Sequence, residues 1–134
     1  MLTKHQSLIY TMVLMSAADS EMSETEMLKI KEVISYLPIF EGYEQSNIAK
    51  DAGAVAELLL DEDGFEKALE LVRESLPVHL RETAYALAVE VAAADLEAAE
   101  EELNLLQMIR HILEIDRLIA AGIERGARAR YAQA

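Results

Sequence analysis

Two segments of the chain are apolar on almost every side, and each ends at an aspartate. The first, SLIYTMVLMSAA over residues 7–18, precedes Asp19, and the second, AYALAVEVAAA over residues 84–94, precedes Asp95. A helix that is apolar all round is typical of a buried position surrounded by other helices. The pattern therefore predicts two central helices, over residues 2–18 and 78–94.

Elsewhere apolar residues recur three or four positions apart, which predicts helices with one buried face. These segments cover residues 23–37, 41–60 (two short helices, or one broken near 51–53), 61–76, 101–115 and, after a break at Asp116, 117–131. Alternating β-branched runs and hairpin dipeptides are absent from the sequence. We predict an all-α fold, a single compact domain over residues 1–134 with about seven or eight helices.

Each apolar helix is followed by a similar acidic turn and a glutamate-bearing helix. Residues 17–26 read AADSEMSETE and residues 93–102 read AADLEAAEEE. Asp95 follows Asp19 by 76 residues, and the same offset pairs Glu21 with Glu97, Glu24 with Glu100 and Glu26 with Glu102. We predict two pseudo-symmetric helix–acidic turn–helix halves, about 1–60 and 61–134, with the central helices side by side and both acidic turns on the same or adjoining faces.

The charge of the chain narrows the choice of partners. Its 25 Asp and Glu residues outnumber 12 Lys and Arg, giving a formal net charge of −13. Such a surface repels nucleic acid and attracts cations and basic protein surfaces, although acidity also serves colloidal stability. The sequence contains no cysteine, which fits a cytoplasmic location. The N-terminal apolar run is too short to span a membrane, so no transmembrane segment is predicted.

The acidic turns have three interpretations at this point. Helix capping explains the first turn through Ser23 and Glu26, but Ala99 replaces the serine in the second turn, where no such capping box forms. A divalent cation would be held by oxygen ligands, although the spacing differs from an EF-hand loop. The candidate metal ligands are Asp19, Glu21, Glu26, Asp95, Glu97 and Glu102. A basic protein partner would be bound by Asp19, Glu24, Glu26, Asp95, Glu100 and Glu102.

The C-terminal segment and one central glutamate offer internal charge pairs. Residues 117–134 carry Arg117, Arg125, Arg128 and Arg130 against one acid, Glu124, so the acidic turns could also pair with the protein's own arginines.

Glu90 lies within the second apolar helix and is expected to pair with Arg81, Arg110 or Arg117. A hydrolase built on Glu90 is the remaining enzymatic alternative. His5, His79 and His111 lack the spacing of a zinc site, and no catalytic residue is predicted.

At the duplicated turns, Ala18-Asp19-Ser20 and Ala94-Asp95-Leu96, the sequence resembles the tellurite-resistance TerB family, whose members carry two Ala-Asp-Gly turns, each followed by a glutamate-bearing helix. The resemblance runs nearly end to end, through YLPIF, DEDG, LPVHLRETAYALAVEVAAADLE and ERGARARY. It implies seven or eight helices in two halves, a cytoplasmic stress-response role, no catalytic activity, and interaction with other tellurite-resistance proteins at the inner membrane face, with metal sensing or binding. The family's acidic positions map onto Asp19, Glu26, Asp95 and Glu102.

The leading hypothesis is a non-enzymatic cytoplasmic adaptor that binds a basic partner surface through both acidic turns. The alternative is a protein that binds or senses a divalent cation, the one cofactor that the sequence suggests. A homo-oligomer formed through an apolar helix face stays open.

Overall fold

The two central helices predicted from the sequence pack against each other in the middle of the molecule. The structure is a computed structural model, and it describes residues 1–18, 24–94 and 100–134. Its α-helices are α1 (Lys4–Ser16), α2 (Glu24–Tyr36), α3 (Ile48–Leu58), α4 (Gly64–Ser75), α5 (Arg81–Ala94), α6 (Glu100–Ile112) and α7 (Arg117–Arg130). α1 lies along α5, and each of the other five packs on one or both of them. No β-strand occurs within these three ranges, and the predicted single compact all-α domain is confirmed.

α1 is buried from Ser7 to Ser16, as its all-round apolar sequence predicted. Its three buried serine and threonine hydroxyl groups need hydrogen-bond partners, because an unsatisfied polar group in the core is costly. Each hydroxyl donates to a carbonyl oxygen one turn earlier: Ser7 to Thr3 at 3.0 Å, Thr11 to Ser7 at 2.9 Å and Ser16 to Met12 at 3.3 Å. The central helix therefore satisfies these groups internally and needs no polar neighbour for them.

The sequence repeat is visible in the helix boundaries. α2 and α6 both have 13 residues, and the start and end of α6 follow those of α2 by the same 76 residues that separate Asp19 from Asp95. α3 packs on α1 as α7 packs on α5, while α4 lies between the two sets of three helices in the chain. The division of the chain into halves at about residue 60 stays a prediction.

Local sequence signals explain several helix ends. Thr3 and Gln6 form a capping box at the start of α1, and Asp116 caps α7 by accepting hydrogen bonds from the backbone N–H groups of Leu118 (3.1 Å) and Ile119 (3.3 Å). Pro38 follows α2 and begins a 3-10 turn, Pro38–Phe40. The capping box predicted at Ser23 falls outside the described residues.

One predicted boundary is wrong. The helix break expected near residues 51–53 does not occur, because a 3-10 turn over Gln45–Asn47 leads directly into α3, which continues through this segment. The other two 3-10 turns in the described residues are also short connections: Pro38–Phe40 follows α2, and Val78–Leu80 precedes α5. The predicted start of the second central helix at residue 78 therefore includes one turn of 3-10 geometry.

Candidate functional site

The eight predicted site carboxylates divide into residues that the structure describes and residues that it does not. Asp19, Glu21, Asp95 and Glu97 lie outside the described ranges. The other four lie in the first turns of two helices: Glu24 and Glu26 in α2, and Glu100 and Glu102 in α6. Carboxylates at these positions complement the positive end of a helix dipole.

These four glutamates differ in their exposure to solvent. Glu24 and Glu100, at the first position of their helices, are exposed. Glu26 and Glu102, two residues further on, are each only 1% exposed and are among the largest fully buried side chains of the described residues. The outer pair is accessible to another protein, whereas the inner pair faces the interior at equivalent positions of the repeat.

The inward position of the second pair has a helical explanation. Glu26, Ile30 and Val33 follow the i, i+4, i+7 spacing of one helix face, and Ile30 and Val33 are buried in the core. Glu102, Leu106 and Ile109 repeat this spacing in α6 with the same burial. This spacing was the sequence signal that could have separated the inner pair of carboxylates from the outer pair, and our sequence interpretation did not use it.

Described residues next to the two acidic turns share one depression of the surface. It has a volume of about 230 Å³ and is lined by Ala18, Phe65, Glu101, Asn104, Leu105 and Met108. Ala18 directly precedes the first acidic turn, and Glu101 lies in the first turn of α6, after the second acidic turn. The residue before the first acidic turn and a residue of the first turn of α6 therefore line the same depression.

The described residues contain no group of three or more His, Cys, Asp and Glu side chains arranged to hold a metal ion. Of the six candidate metal ligands, only Glu26 and Glu102 belong to the described part of the chain. His5 is occupied structurally: its Nε2 donates to the carbonyl oxygen of Ile39 at 2.7 Å, and its ring stacks on Phe40 with centroids 5.8 Å apart. His79 and His111 are exposed on different helical segments.

A hydrogen-bonded pair of polar side chains, Tyr43 and Asp51, lies beside His5 and was missed in the sequence. Asp51 is 4% exposed, and its Oδ2 accepts a hydrogen bond of 2.7 Å from the hydroxyl of Tyr43. Burial, together with the hydrogen bond to the charged Asp51, raises the pKa of Tyr43 well above its ordinary value. Asp51 occupies the apolar stripe of α3 between Ile48 and Val55, a position that could have identified it as a buried carboxylate.

Glu90 has partners other than those predicted. It forms an ion pair with Arg130 and accepts a hydrogen bond from the hydroxyl of Tyr131 at 2.8 Å, so the expected pairing with Arg81, Arg110 or Arg117 was wrong. The turn of the chain after α6 brings α7 back onto α5, which places the C-terminal end of α7 beside Glu90. Because both carboxylate oxygens have a partner, the hypothesis of a hydrolase built on Glu90 loses its free general acid or base.

No helix in the described part of the chain is long and apolar enough to cross a membrane.

Comparison with protein families gives one match. Residues 5–122 match the family described as Tellurite resistance protein TerB. The matched range includes both acidic turns but stops within α7, so the resemblance that the sequence suggested through ERGARARY is matched only as far as residue 122. Neither the curated proteins nor the solved structures include a significant match to this chain.

Proposed function

Because this chain belongs to the tellurite resistance protein TerB family, we propose that it is a non-enzymatic interaction module of a tellurite-resistance or stress-response system. In this proposal its two acidic turns act together to bind a basic surface of a partner protein. The proposed setting is the cytoplasm, at the inner face of the membrane, as the family resemblance implies. The outer carboxylates, Glu24 and Glu100 with the turn aspartates Asp19 and Asp95, meet the partner.

The observation that carries this proposal is the shared depression between Ala18 and Glu101. Since residues bordering the two turns line the same surface feature, one partner of modest size can contact both acidic segments. Glu24 and Glu100 are exposed at the starts of α2 and α6, which supports their availability to such a partner. Two acidic segments that act together also bind with a higher effective affinity than either one alone.

The charge of the whole chain supports the same partner chemistry. A net charge of −13 attracts basic proteins over long range and raises their rate of association, an effect that salt weakens. Close spacing of like charges in each turn costs free energy through repulsion. A partner's Lys and Arg side chains would offset that cost on binding.

The second candidate function is the binding of a divalent cation by both turns. The specific observation in its favour is the burial of Glu26 and Glu102, each 1% exposed at equivalent positions. A carboxylate in this position cannot contact a partner's surface unless the first turn of its helix unfolds. It can, however, ligate an ion inside the fold. Asp19, Glu21, Asp95 and Glu97 would complete an oxygen ligand set of the kind that Ca²⁺, Mg²⁺ and Mn²⁺ prefer.

The partner hypothesis is tested with paired variants of equal charge change. The turn variant carries Asp19→Asn, Glu24→Gln, Asp95→Asn and Glu100→Gln, and the control carries Glu41→Gln, Glu44→Gln, Glu57→Gln and Glu62→Gln, all exposed residues outside the turns. The probe is a fluorescent peptide rich in Lys and Arg, and binding is measured by anisotropy at several salt concentrations. We expect about tenfold weaker binding for the turn variant and less than about twofold change for the control. If both variants lost the same affinity for the peptide, net charge alone would explain the binding, and the proposal would be contradicted.

The cation hypothesis is tested by thermal unfolding of chelator-treated protein, with Ca²⁺, Mg²⁺, Mn²⁺ and Zn²⁺ titrated separately. A bound ion raises the melting temperature in a saturable way. The variant Glu26→Gln, Glu102→Gln is then expected to lose this rise, whereas the outer-pair variant Glu24→Gln, Glu100→Gln keeps it. If no ion changes the melting temperature of the unmodified protein, cation binding is rejected.

A further inference from the structure

A groove runs between α6 and α7 on the surface of α5. Both helices pack on α5, and two adjoining depressions of about 370 Å³ and 280 Å³ share Leu103, Leu106 and Glu124. We call this surface the α6–α7 groove. It is lined by Tyr85, Val89, Ala92, Ala93, Leu103, Leu106, Gln107, Arg110, Arg117, Ala120, Glu124, Ala127, Arg128, Tyr131 and Ala132.

The floor of the groove is apolar and built largely from small side chains. Val89 and Ala92 of α5 and Ala120 and Ala127 of α7 are buried, with no polar atoms in their side chains. Small residues let a second backbone approach closely, as helix packing requires. Leu103 is 51% exposed at the edge of this floor, whereas Leu105, Leu106 and Ile109 of the same helix are buried. The groove therefore offers an apolar seat with an exposed leucine beside it.

The sides of the groove are positively charged on a strongly acidic protein. Arg110 lies on the α6 side, and Arg117 and Arg128 lie on the α7 side. Eleven residues separate Arg117 from Arg128, which corresponds to about three helical turns, so both fall on one face of α7. Among the described residues that line the groove, Glu124 carries the one negative charge. The chain as a whole has 25 acids and 12 bases, so this local excess of arginine is opposite to its average charge.

We propose that the α6–α7 groove binds an acidic amphipathic helix of a partner protein. The helix places its apolar face on the alanine and leucine floor, and its carboxylates pair with Arg110, Arg117 and Arg128. α6 and α7 have 13 and 14 residues, so each is about 20 Å long at 1.5 Å per residue and can accommodate about three turns of a bound helix. Apolar anchors with flanking charges are the usual basis of helix binding in a groove.

This surface differs from the acidic turns in the partner that it selects, although two of its lining residues, Ala93 and Leu103, lie at the two ends of the second acidic segment. It selects a partner of opposite charge, and Arg128, Tyr131 and Ala132 lie beyond residues 5–122, the range that matches the family. A chain with both surfaces could join a basic partner and an acidic partner. Loss of one interaction would leave the other intact, so the two proposals fail separately.

The test uses the full chain and three synthetic peptides of about 14 residues. All three share one leucine–alanine face, and their flanking positions carry Glu, Gln or Lys. Binding is measured by fluorescence anisotropy and located by NMR chemical-shift changes. We expect affinity to fall in the order Glu, Gln, Lys, with shifts concentrated at Leu103, Leu106, Ala120 and Glu124.

Two charge-matched variants isolate the groove. The groove variant carries Arg117→Glu and Arg128→Glu, and the control carries Lys31→Glu and Arg125→Glu, exposed residues that do not line the groove. We expect the groove variant to bind the Glu peptide at least about tenfold more weakly than the unmodified protein does. The affinity of the control should change by less than about twofold. Leu103→Glu, a substitution at a half-exposed position, tests the apolar contact while the arginines stay unchanged. Circular dichroism verifies that each variant is folded.

Several results would overturn this proposal. They are the absence of binding of the Glu peptide at millimolar concentration, equal affinity for all three peptides, or shifts outside the groove. Concentration-dependent dimerisation that is lost in the groove variant would identify a second copy of this chain as the occupant instead, and sedimentation velocity detects it.

Discussion

Glu90, in the central helix α5, forms an ion pair with Arg130, the last residue of α7. The hydroxyl of the next residue, Tyr131, donates to the other carboxylate oxygen of Glu90 at 2.8 Å, and the Nζ of Lys29 lies 5.2 Å from the centre of the Tyr131 ring. The side chain of Glu90 is 15% exposed, so its negative charge is largely removed from water. These contacts fasten the end of α7 to α5 and also connect it to α2.

The coupling between Glu90 and Arg130 is measurable as a double-mutant cycle. Arg130→Ala should lower the free energy of unfolding by about 1 kcal/mol, because the largely buried carboxylate loses its cation while half-exposed Arg130 is partly screened by solvent. Glu90→Gln should cost a similar amount. The double variant should lose less free energy of unfolding than the two single variants lose together. The difference, measured by urea unfolding, should be a coupling free energy of about 0.5–1 kcal/mol. Strict additivity would mean that the ion pair contributes nothing to stability.

Gly64 and Gly53 should respond oppositely to alanine. A Cβ atom at Gly64 would lie 2.3 Å from the carbonyl oxygen of Leu58 and 2.8 Å from the Cα of Leu59, both backbone atoms that cannot move aside easily. Gly64→Ala should therefore destabilise the protein by about 1–3 kcal/mol. Gly53 lies in α3 with nothing within 4 Å of its added Cβ, and Gly53→Ala should stabilise by about 0.5–1 kcal/mol through helix propensity. Thermal or urea unfolding of both variants gives the comparison, and a stable Gly64→Ala protein would contradict the close approach.

Alkaline pH should destabilise the protein through its buried tyrosines. Burial raises the pKa of Tyr85 to about 12, and the negative charge of nearby Glu124 adds to this effect. An unfolded tyrosine ionises near pH 10, so between about pH 10 and pH 12 the unfolded chain binds fewer protons than the folded one. The free energy of unfolding should therefore fall as pH rises through this range. Tyr85→Phe should reduce the slope, since it removes one group with a raised pKa.

The control for this experiment is Tyr36→Phe, because the Tyr36 side chain is 60% exposed in the folded protein. Urea unfolding at a series of alkaline pH values should give the same slope for Tyr36→Phe and the unmodified protein. Tyr43, whose pKa is also raised by burial and by Asp51, remains in the Tyr85→Phe variant, so part of the slope should persist. An unchanged slope in Tyr85→Phe would be evidence against its contribution.

The hydrogen bond between Tyr43 and Asp51 should stabilise the start of α3. Tyr43→Phe removes the hydroxyl that donates to a carboxylate with 4% exposure, which should cost about 1–2 kcal/mol. Asp51→Asn keeps a side-chain oxygen that can accept this bond, so it should cost less. Urea unfolding at neutral pH ranks the two variants, and a larger loss in Asp51→Asn would indicate that the charge of Asp51, rather than this bond, is what stabilises the region.

The helices were largely predictable because their signals are local. The apolar stripe of α2, the aspartate before α7 and the proline after α2 are each encoded within a few residues. The false break in α3 shows the limit of such signals. The expected break began at Asp51, but the hydroxyl of Tyr43, eight residues earlier, donates to the Asp51 carboxylate within a continuous helix.

The equivalent acids of the two repeats were visible in the sequence, whereas their burial was not recognised there. The 76-residue offset identified equivalent acids in the two repeats, and the described ones lie at matching positions of α2 and α6. The spacing of Glu26 with Ile30 and Val33 marks an inward position, but we did not use it. Both Glu24 and Glu26 were therefore assigned to the partner surface, although the first is exposed and the second is buried. The partner of Glu90 was missed because Arg130 comes from a distant helix end, and three other arginines were equally good candidates from sequence alone.

By itself the sequence determined the all-α class, the repeated helix–acidic turn–helix pattern and the acidic character of the chain, since these depend on periodicity and composition. The motifs at the repeated turns also indicated its family. Only the tertiary structure decided which charges meet. Packing of α6 and α7 on α5 created a groove with an arginine rim and joined Glu90 to Arg130. These features depend on helix rotation and on contacts between residues far apart in the chain, which a local pattern does not specify.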